Sequence, residues 1–258
     1  MFAQFVFIDT DQRNFKPFEE SLEAFAELTP EQNEQVPVPI TPIQFHKTFE
    51  AIRRRVESDH LKWLKPDMEK ITPQSVTDGA GTYRPMGRLA FFLNYQGIRA
   101  AIERQINAAL RHAADNTSTV EDNLVDVVIV TSLAGGTGAG MFIDVAYLVQ
   151  DIFNQPANQN LKSKSVTLVC FLPGVFEDQK DILERLRQNA FAACMELEHY
   201  GTPRTGDELF LGRMREGNRG DNSGTLAQNW TGFTVNWGDG KKRFIKGPGW
   251  DTCFLIDN

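Results

Sequence analysis

Glycines are concentrated immediately after an apolar, β-branched run near the middle of the chain. The run is Val127–Val130, and the loop Ala134–Gly140 that follows contains Gly135, Gly136, Gly138 and Gly140. A glycine-rich loop allows backbone N–H groups to approach an anion, and the positive end of a following helix attracts the same anion. The residues after Gly140 have helical spacing. The pattern therefore predicts a fully buried parallel strand, a phosphate-binding loop and a helix.

The spacing of these glycines excludes two common phosphate loops. In the dinucleotide fingerprint Gly-x-Gly-x-x-Gly, a start at Gly136 or Gly138 would require a third glycine at Met141 or Ile143. The Walker pattern ends in Gly-Lys-Ser/Thr, and the loop contains no lysine. Phosphate would therefore be held by backbone amides. A tight strand-to-helix turn without any ligand is the alternative that the loop alone leaves open.

This lysine-free loop resembles the GGGTG(T/S)G signature of the tubulin/FtsZ superfamily. Ala134 stands in place of the first signature glycine, and Ala139 in place of the Thr or Ser. The resemblance implies an α/β domain with three layers, α/β/α, around a mostly parallel sheet. It also implies binding of GTP or GDP with Mg²⁺. The phosphate contacts that it implies in this loop come from Ala134, Gly135, Gly136, Thr137 and Gly138.

A second glycine loop precedes a helical stretch that runs from about residue 86 to residue 113. Its Gly-Ala-Gly core is similar to the γ-phosphate-sensing loop of the same family, which implies phosphate contacts from Gly79, Ala80, Gly81 and Thr82. Arg84 or Arg88 could add a cation with bidentate geometry for phosphate oxygens. Such an arginine is not part of the FtsZ pattern and resembles the divergent bacterial tubulin-like proteins. For Arg88, a solvated position in the first turn of the helix is the alternative.

An acidic pair follows the apolar run at the start of the chain. The segment Phe5–Asp11 reads FVFIDTD and resembles the second strand and following loop of the family's nucleotide domain. Asp9 and Asp11 would then lie at a strand's carboxyl end, where open α/β sheets bind ligands. Asp11 is the better candidate for Mg²⁺, directly or through water, because Mg²⁺ prefers oxygen ligands and keeps much of its hydration. Ordinary turn chemistry is the alternative.

The sugar and base of the nucleotide are assigned to a turn and a helix later in the chain. The strand-like run Val166–Leu172 ends in a Pro-Gly-Val-Phe turn that resembles the one before the family's ribose-binding acid. Asp181 and Arg185 have the i, i+4 spacing that places both on one helical face, whereas Glu177 lies nearer the turn. A surface helix pair is the alternative for the i, i+4 pair.

The last residue of the chain is an asparagine at the end of a strand-like run, Trp250–Asn258. Its amide offers a donor and an acceptor together, which suits the edge of a purine. By resemblance, the ribose and base contacts come from Pro173, Glu177, Asp181, Arg185 and Asn258.

The resemblance covers residues 1–258 in ordered patches, as one GTP-binding domain. It implies that the first strand with its own glycine loop and the C-terminal domain are lacking, so that the chain is a fragment. Residues 202–249 have no counterpart of this size and are interpreted as an insertion containing a hairpin around Gly238–Gly240. The family's water-activating carboxylate comes from the second domain of a neighbouring subunit. We therefore expect no catalytic residue in this chain.

Composition narrows the class of protein. The 258 residues are 41% hydrophobic and 24% charged, which is enough to bury a sizeable core. The net charge of -7 disfavours a nucleic-acid platform. No apolar run reaches the roughly 20 residues of a membrane helix, and no signal peptide is present, so a cytoplasmic protein is expected. The three cysteines form no C-x-x-C pair and the four histidines have no metal-ligand spacing.

The favoured function is guanine-nucleotide binding, coupled in the intact protein to GTP hydrolysis and to self-association into filaments. Two alternatives remain open at this point. One is a degenerate tubulin-like scaffold that has lost nucleotide binding, and the other is a Rossmann-like oxidoreductase that uses the loop for a dinucleotide. GTPase activity is expected of the intact, assembled protein, and this chain by itself is expected to be inactive.

Overall fold

The computed structural model describes residues 4–26, 34–55, 59–76, 79–115, 124–158, 161, 163–201, 233–245 and 247–257. The helices within these ranges are α1 (Phe15–Ala26), α2 (Pro42–Arg53), α3 (Arg84–Asp115), α4 (Thr137–Phe153) and α5 (Leu183–Gly201). The strands are β1 (Phe7–Asp9), β2 (Gln35–Pro37), β3 (Leu124–Ser132), β4 (Ser163–Phe171), β5 (Phe233–Val235), β6 (Arg243–Ile245) and β7 (Thr252–Ile256). Asn258 and residues 202–232 of the predicted insertion lie outside the described residues.

The largest described sheet contains three parallel strands in the order β3-β4-β7. The pairing of β3 with β4 runs from Leu124 opposite Ser163 to Ser132 opposite Phe171. Strand β7 continues the parallel pairing on the other side of β4 and ends at Ile256. Parallel strands all end at the same edge of a sheet, so the turns after Ser132, Phe171 and Ile256 emerge together. The predicted α/β fold with a parallel sheet is confirmed.

The two faces of this sheet differ in burial. On the inner face, Val166, Leu168 and Cys170 of β4 are fully buried, and α3 and α4 contact this side. On the outer face, Val128 and Val130 of β3 are 57% and 63% exposed within the described part of the chain. The prediction of a fully buried β3 is therefore wrong for the described residues, because only alternate side chains of a strand reach the helical layer.

The starts of α3 and α4 lie unusually close together, and glycines make this possible. A Cβ on Gly87 would lie 2.1 Å from the carbonyl oxygen of Gly136, and a Cβ on Gly140 would lie 2.3 Å from the carbonyl oxygen of Arg84. Neither helix could approach the other with a side chain at these positions. Gly140 is thus a packing residue, and the crossing brings the loop before α3 beside the loop before α4.

A smaller parallel pair, β1 with β2, carries the N-terminal acidic residues. Helix α2 follows β2 after a capping box in which Thr41 and Gln44 satisfy each other's backbone amides, with Pro42 in the first turn. Phe45 and Phe49 of this helix are fully buried in the same core as α3 and α4. This packing fixes β1, and therefore Asp9–Asp11, against the rest of the domain.

The predicted hairpin is present as the antiparallel pair β5 and β6. Its turn uses Gly238 and Gly240, with φ of 88° and 76°, a conformation that other residues rarely adopt. Trp237 is 1% exposed and stacks on Tyr95 of α3 at 5.3 Å between ring centroids. The end of the predicted insertion is therefore part of the core.

Candidate functional site

The glycine loop after β3 leads directly into α4 and forms one wall of a cleft. Gly136 caps the helix, and the amides of the first turn, from Thr137 onwards, have no acceptor inside the helix because of helix geometry. These amides and the helix dipole favour an anion at this point. The cleft encloses about 280 Å³ and is lined by Asp9, Thr10, Asp11, Asn14, Gly79, Ala80, Gly81, Ser132, Gly135, Gly136, Thr137 and Gly138.

The second glycine loop forms the facing wall and is hydrogen-bonded to the first. The amide of Gly136 donates to the carbonyl of Gly81 at 2.7 Å. Gly79 and Gly81 have φ of 100° and 55°, so both positions favour glycine. The sequence prediction that these two loops serve one site is consistent with this contact, although the amide of Gly136 is engaged by the protein itself.

A buried threonine that the sequence analysis did not single out joins both loops to β1. Thr10 is fully buried, and its hydroxyl accepts a hydrogen bond from the amide of Ala80 at 2.8 Å. The same hydroxyl shares a hydrogen bond of 2.6 Å with that of Thr137. The available signal was its position between two aspartates at a strand end. Thr10 holds three segments of the cleft at fixed distances.

Asp11 lies in the cleft wall with both carboxylate oxygens engaged by Arg13, at 2.9 Å and 2.8 Å. The side-chain hydrogen bonds from Arg13 hold the pKa of Asp11 below its ordinary value, so the carboxylate is ionised at neutral pH. Within the described ranges, no three His, Cys, Asp or Glu side chains cluster as a metal site. One carboxylate beside a phosphate-sized cleft fits Mg²⁺, since this ion takes few protein ligands and completes its shell with phosphate oxygens and water.

The family model for tubulin-like proteins matches residues 1–258 of the chain. The chain belongs to this tubulin-like family. A search of curated proteins and a search of solved structures each gave no match. Within the described ranges, none of the helices combines the length and hydropathy that crossing a lipid bilayer requires.

The two residues at which the tubulin-like signature is altered are buried. Ala134 is fully buried and Ala139 is 1% exposed, and neither lines the cleft. Their methyl groups therefore occupy protein interior and leave the cleft open. By contrast, a Cβ on Gly138 would lie 2.3 Å from the hydroxyl oxygen of Thr131 and 3.0 Å from the carbonyl oxygen of Ser132. Gly138 is required by packing against β3 as well as by the cleft.

Arg84 does not line the cleft between the two glycine loops of this tubulin-like domain, contrary to the sequence expectation. Its guanidinium donates to the carbonyl of Ala139 at 3.0 Å and pairs with Glu196 of α5. Arg88 likewise turns away, because it pairs with buried Asp144 at 2.9 Å and lies over the ring of Trp63. Both arginines line a separate cavity of about 300 Å³ between α3, α4 and α5. The alternative for Arg88, a solvated position in the first turn of the helix, is not found either.

The residues predicted to contact the sugar and base follow strand β4, and they do not line the cleft between the glycine loops. Pro173 begins a short 3-10 helix after β4, and Glu177 caps its end with an exposed side chain. Asp181 lies two residues before α5 begins, so the prediction that it shares a helical face with Arg185 is wrong. The helix begins later than the spacing suggested.

Arg185 contacts the second glycine loop instead. Its guanidinium donates to the hydroxyl of Thr82 at 3.3 Å and lies 4.8 Å from the ring centre of Tyr83. Asn258 lies outside the described residues, whereas its neighbour Asp257 accepts a hydrogen bond from the amide of Gly174 at 2.8 Å. The ends of β4 and β7 therefore meet at this hydrogen bond.

Proposed function

We propose that this tubulin-like chain binds a guanine nucleotide, GTP or GDP, with its phosphates between the two glycine loops. The observation that carries the proposal is the hydrogen bond between Gly136 and Gly81, which joins loops distant in sequence into one cleft at a helix N-terminus. Phosphate contacts are assigned to the first-turn amides of α4 and to the amide of Gly135. The preference for guanine is inferred from the family alone.

Magnesium is assigned to Asp11, with Asp9 behind it. Asp9 accepts hydrogen bonds from the amide of Asp11 and from the side chain of Asn14, both at 2.9 Å, and so fixes the start of the loop. When bound, Mg²⁺ would neutralise phosphate charge. The guanidinium of Arg13, now paired with Asp11, supplies positive charge at the same place.

Pro173, Glu177, Asp181 and Asn258 remain proposals for the ribose and base, on the side where β4 and β7 end. Hydrolysis of GTP and assembly into filaments are proposed for the complete protein, with the water-activating carboxylate supplied by a neighbouring subunit. We also propose a cytoplasmic location, which agrees with three free cysteines among the described residues.

The degenerate scaffold is the second candidate, and the burial of Ala134 and Ala139 argues against it. In a scaffold that had lost its ligand, nothing would prevent side chains at these two positions from filling the cleft, yet both methyl groups lie outside it. The dinucleotide oxidoreductase has no supporting observation, since its fingerprint is absent and a family of another kind matches the whole chain.

Calorimetric titration of the complete protein with GDP, ATP and NAD tests the proposal, with Gly135→Leu as the diagnostic variant. Gly135 lines the cleft, and a Cβ there meets no protein atom within 4 Å. The new side chain should leave folding intact and remove binding of GDP. Gly97→Leu is the matched control, because a Cβ on this exposed residue of α3 also meets nothing within 4 Å. Unchanged GDP affinity in Gly135→Leu, or no guanine-nucleotide binding by the unaltered protein, would refute the assignment.

A further inference from the structure

Helix α5 presents a polar face to both glycine loops, and its apolar face anchors it. Leu186, Ala190 and Ala193 are buried, which fixes the rotation of the helix about its axis. Arg185 and Asn189 are four residues apart and therefore lie on one face, one turn from each other. Arg185 contacts only the second loop among the described residues, whereas Asn189 contacts both.

The side-chain amide of Asn189 bridges the two loops through their carbonyl groups. Its Nδ2 donates to the carbonyl oxygen of Thr82 at 2.9 Å and to that of Ala134 at 2.8 Å. The carbonyl of Gly135 is also within reach, at 3.5 Å. An asparagine amide has two N–H donors, so one donor serves each loop. No other residue type of this length offers two donors without a charge.

The bond to Ala134 sets the direction of the next amide. In a trans peptide the carbonyl and the N–H of the same plane point in opposite directions. Because Asn189 holds the carbonyl of Ala134 toward α5, the N–H of Gly135 is directed away from α5. Gly135 lines the cleft, and among the described residues its N–H has no acceptor. The adjacent amide, that of Gly136, is already engaged by Gly81.

We propose that Asn189 is a positioning residue for phosphate binding. It holds the peptide plane between Ala134 and Gly135 so that this N–H faces the cleft, and it holds Thr82 so that the second loop stays beside the first. The effect of Asn189 on nucleotide affinity rests on the proposed nucleotide function. The effect of Asn189 on loop geometry does not, so the positioning role and the nucleotide function can be tested separately.

The test compares Asn189→Asp and Asn189→Leu with Gln188→Leu in the complete protein. Aspartate has the same shape as asparagine but no N–H donor. Gln188 is the exposed neighbour, and its side-chain amide donates to Glu184 on its own helix, at 3.3 Å. The first readout is amide hydrogen exchange without nucleotide, at Gly136 and Tyr83, whose amides bond to Gly81 and Ala80. Both Asn189 variants should accelerate exchange at both amides by roughly tenfold, and Gln188→Leu should not.

The second readout separates positioning from general destabilisation. The affinity for GDP should fall roughly tenfold or more in both Asn189 variants, while the affinity for guanosine, which has no phosphate, stays unchanged. Unchanged exchange at Gly136 and Tyr83 in both variants would overturn the positioning role. Equal losses for GDP and guanosine would also overturn it, because a collapsed fold affects both ligands. If the unaltered protein binds no nucleotide, the exchange rates alone decide, and only the proposed function fails.

Discussion

The two ends of the candidate site are built in different ways. At the phosphate end, Thr10, Gly81, Gly136 and Asn189 form hydrogen bonds between segments that are distant in sequence, and Thr10 is fully buried. At the sugar end, Glu177 and Asp181 are exposed on a short turn. The phosphate end is therefore assembled by the fold itself. The proposed sugar end consists of exposed side chains, so substitutions there should affect binding alone, whereas substitutions of the hydrogen-bonded Thr10 and Gly136 at the phosphate end should also affect folding.

The largest expected effect is that of Gly136→Val. A Cβ at this position would lie 2.6 Å from the carbonyl oxygen of Gly81 and 2.9 Å from that of Ala80. We expect the loops to be forced apart, the free energy of unfolding to fall by about 1 to 3 kcal/mol, and GDP binding to be lost. Denaturant unfolding measures the change in stability, and calorimetry measures GDP binding. Gly97→Val, where nothing opposes the new Cβ, is the control, and equal behaviour of the two variants would contradict the contact between the loops.

The next largest effect is expected for Thr10→Val, which keeps the shape but removes the hydroxyl. The buried amide of Ala80 and the half-buried hydroxyl of Thr137 would each lose a hydrogen-bond partner, at a cost of about 1 to 3 kcal/mol in unfolding free energy. GDP affinity should fall as well. Thr252→Val, at an exposed position of β7, should change the unfolding free energy by less than about 0.5 kcal/mol. A Thr10 variant as stable as the control would show that this hydroxyl does not hold the cleft together.

A smaller effect, on binding alone, is expected for Asp11→Asn. Mg²⁺ should tighten GDP binding to the unaltered protein, and the variant should lose most of this gain, whereas Asp67→Asn, an exposed control, should keep it. Arg13 holds the pKa of Asp11 below its ordinary value, so the carboxylate stays charged as the pH falls from 7 to about 5. Protonation of Asp11 should therefore contribute nothing to any change of the Mg²⁺ effect over this range. A gain that survives in Asp11→Asn would place the metal elsewhere.

The smallest effects are expected at the sugar end. Asp181→Ala and Glu177→Ala each remove an exposed carboxylate, so neither should change the unfolding free energy by more than about 0.5 kcal/mol. The residue that contacts the ribose should lose about 1 to 3 kcal/mol of GDP binding when replaced, and calorimetry of both variants identifies it. If neither variant binds more weakly, the ribose does not lie against this turn.

The contrast between the phosphate end and the sugar end also explains how much of the site the sequence could predict. Glycine loops at Gly79–Gly81 and Ala134–Gly140 were recognisable because a backbone that must approach another atom excludes side chains, and this requirement is visible as residue type. The strands β3 and β4, the long α3 and the hairpin turn follow from apolar runs and glycine position in the same way.

What the sequence could not predict depends on direction and on three-dimensional partners. Arg84 was expected at the phosphate, but it pairs with Glu196 and lines a separate cavity, and these two residues are far apart in the chain. Asp181 and Arg185 had helical spacing, but α5 begins only at Leu183. Asn189 has no distinguishing spacing, and the position of Thr10 between two aspartates does not reveal its hydrogen bonds to Ala80 and Thr137, so the folded chain is needed to assign both roles.

The central claim is that the two glycine loops form one phosphate site. Amide hydrogen exchange of the complete protein, with and without GDP and Mg²⁺, tests it most directly. Nucleotide should slow exchange together at residues 79–82 and at residues 134–139, and Gly135→Leu should abolish both changes. Slowing at only one loop, or bound nucleotide with no change at either, would contradict the claim.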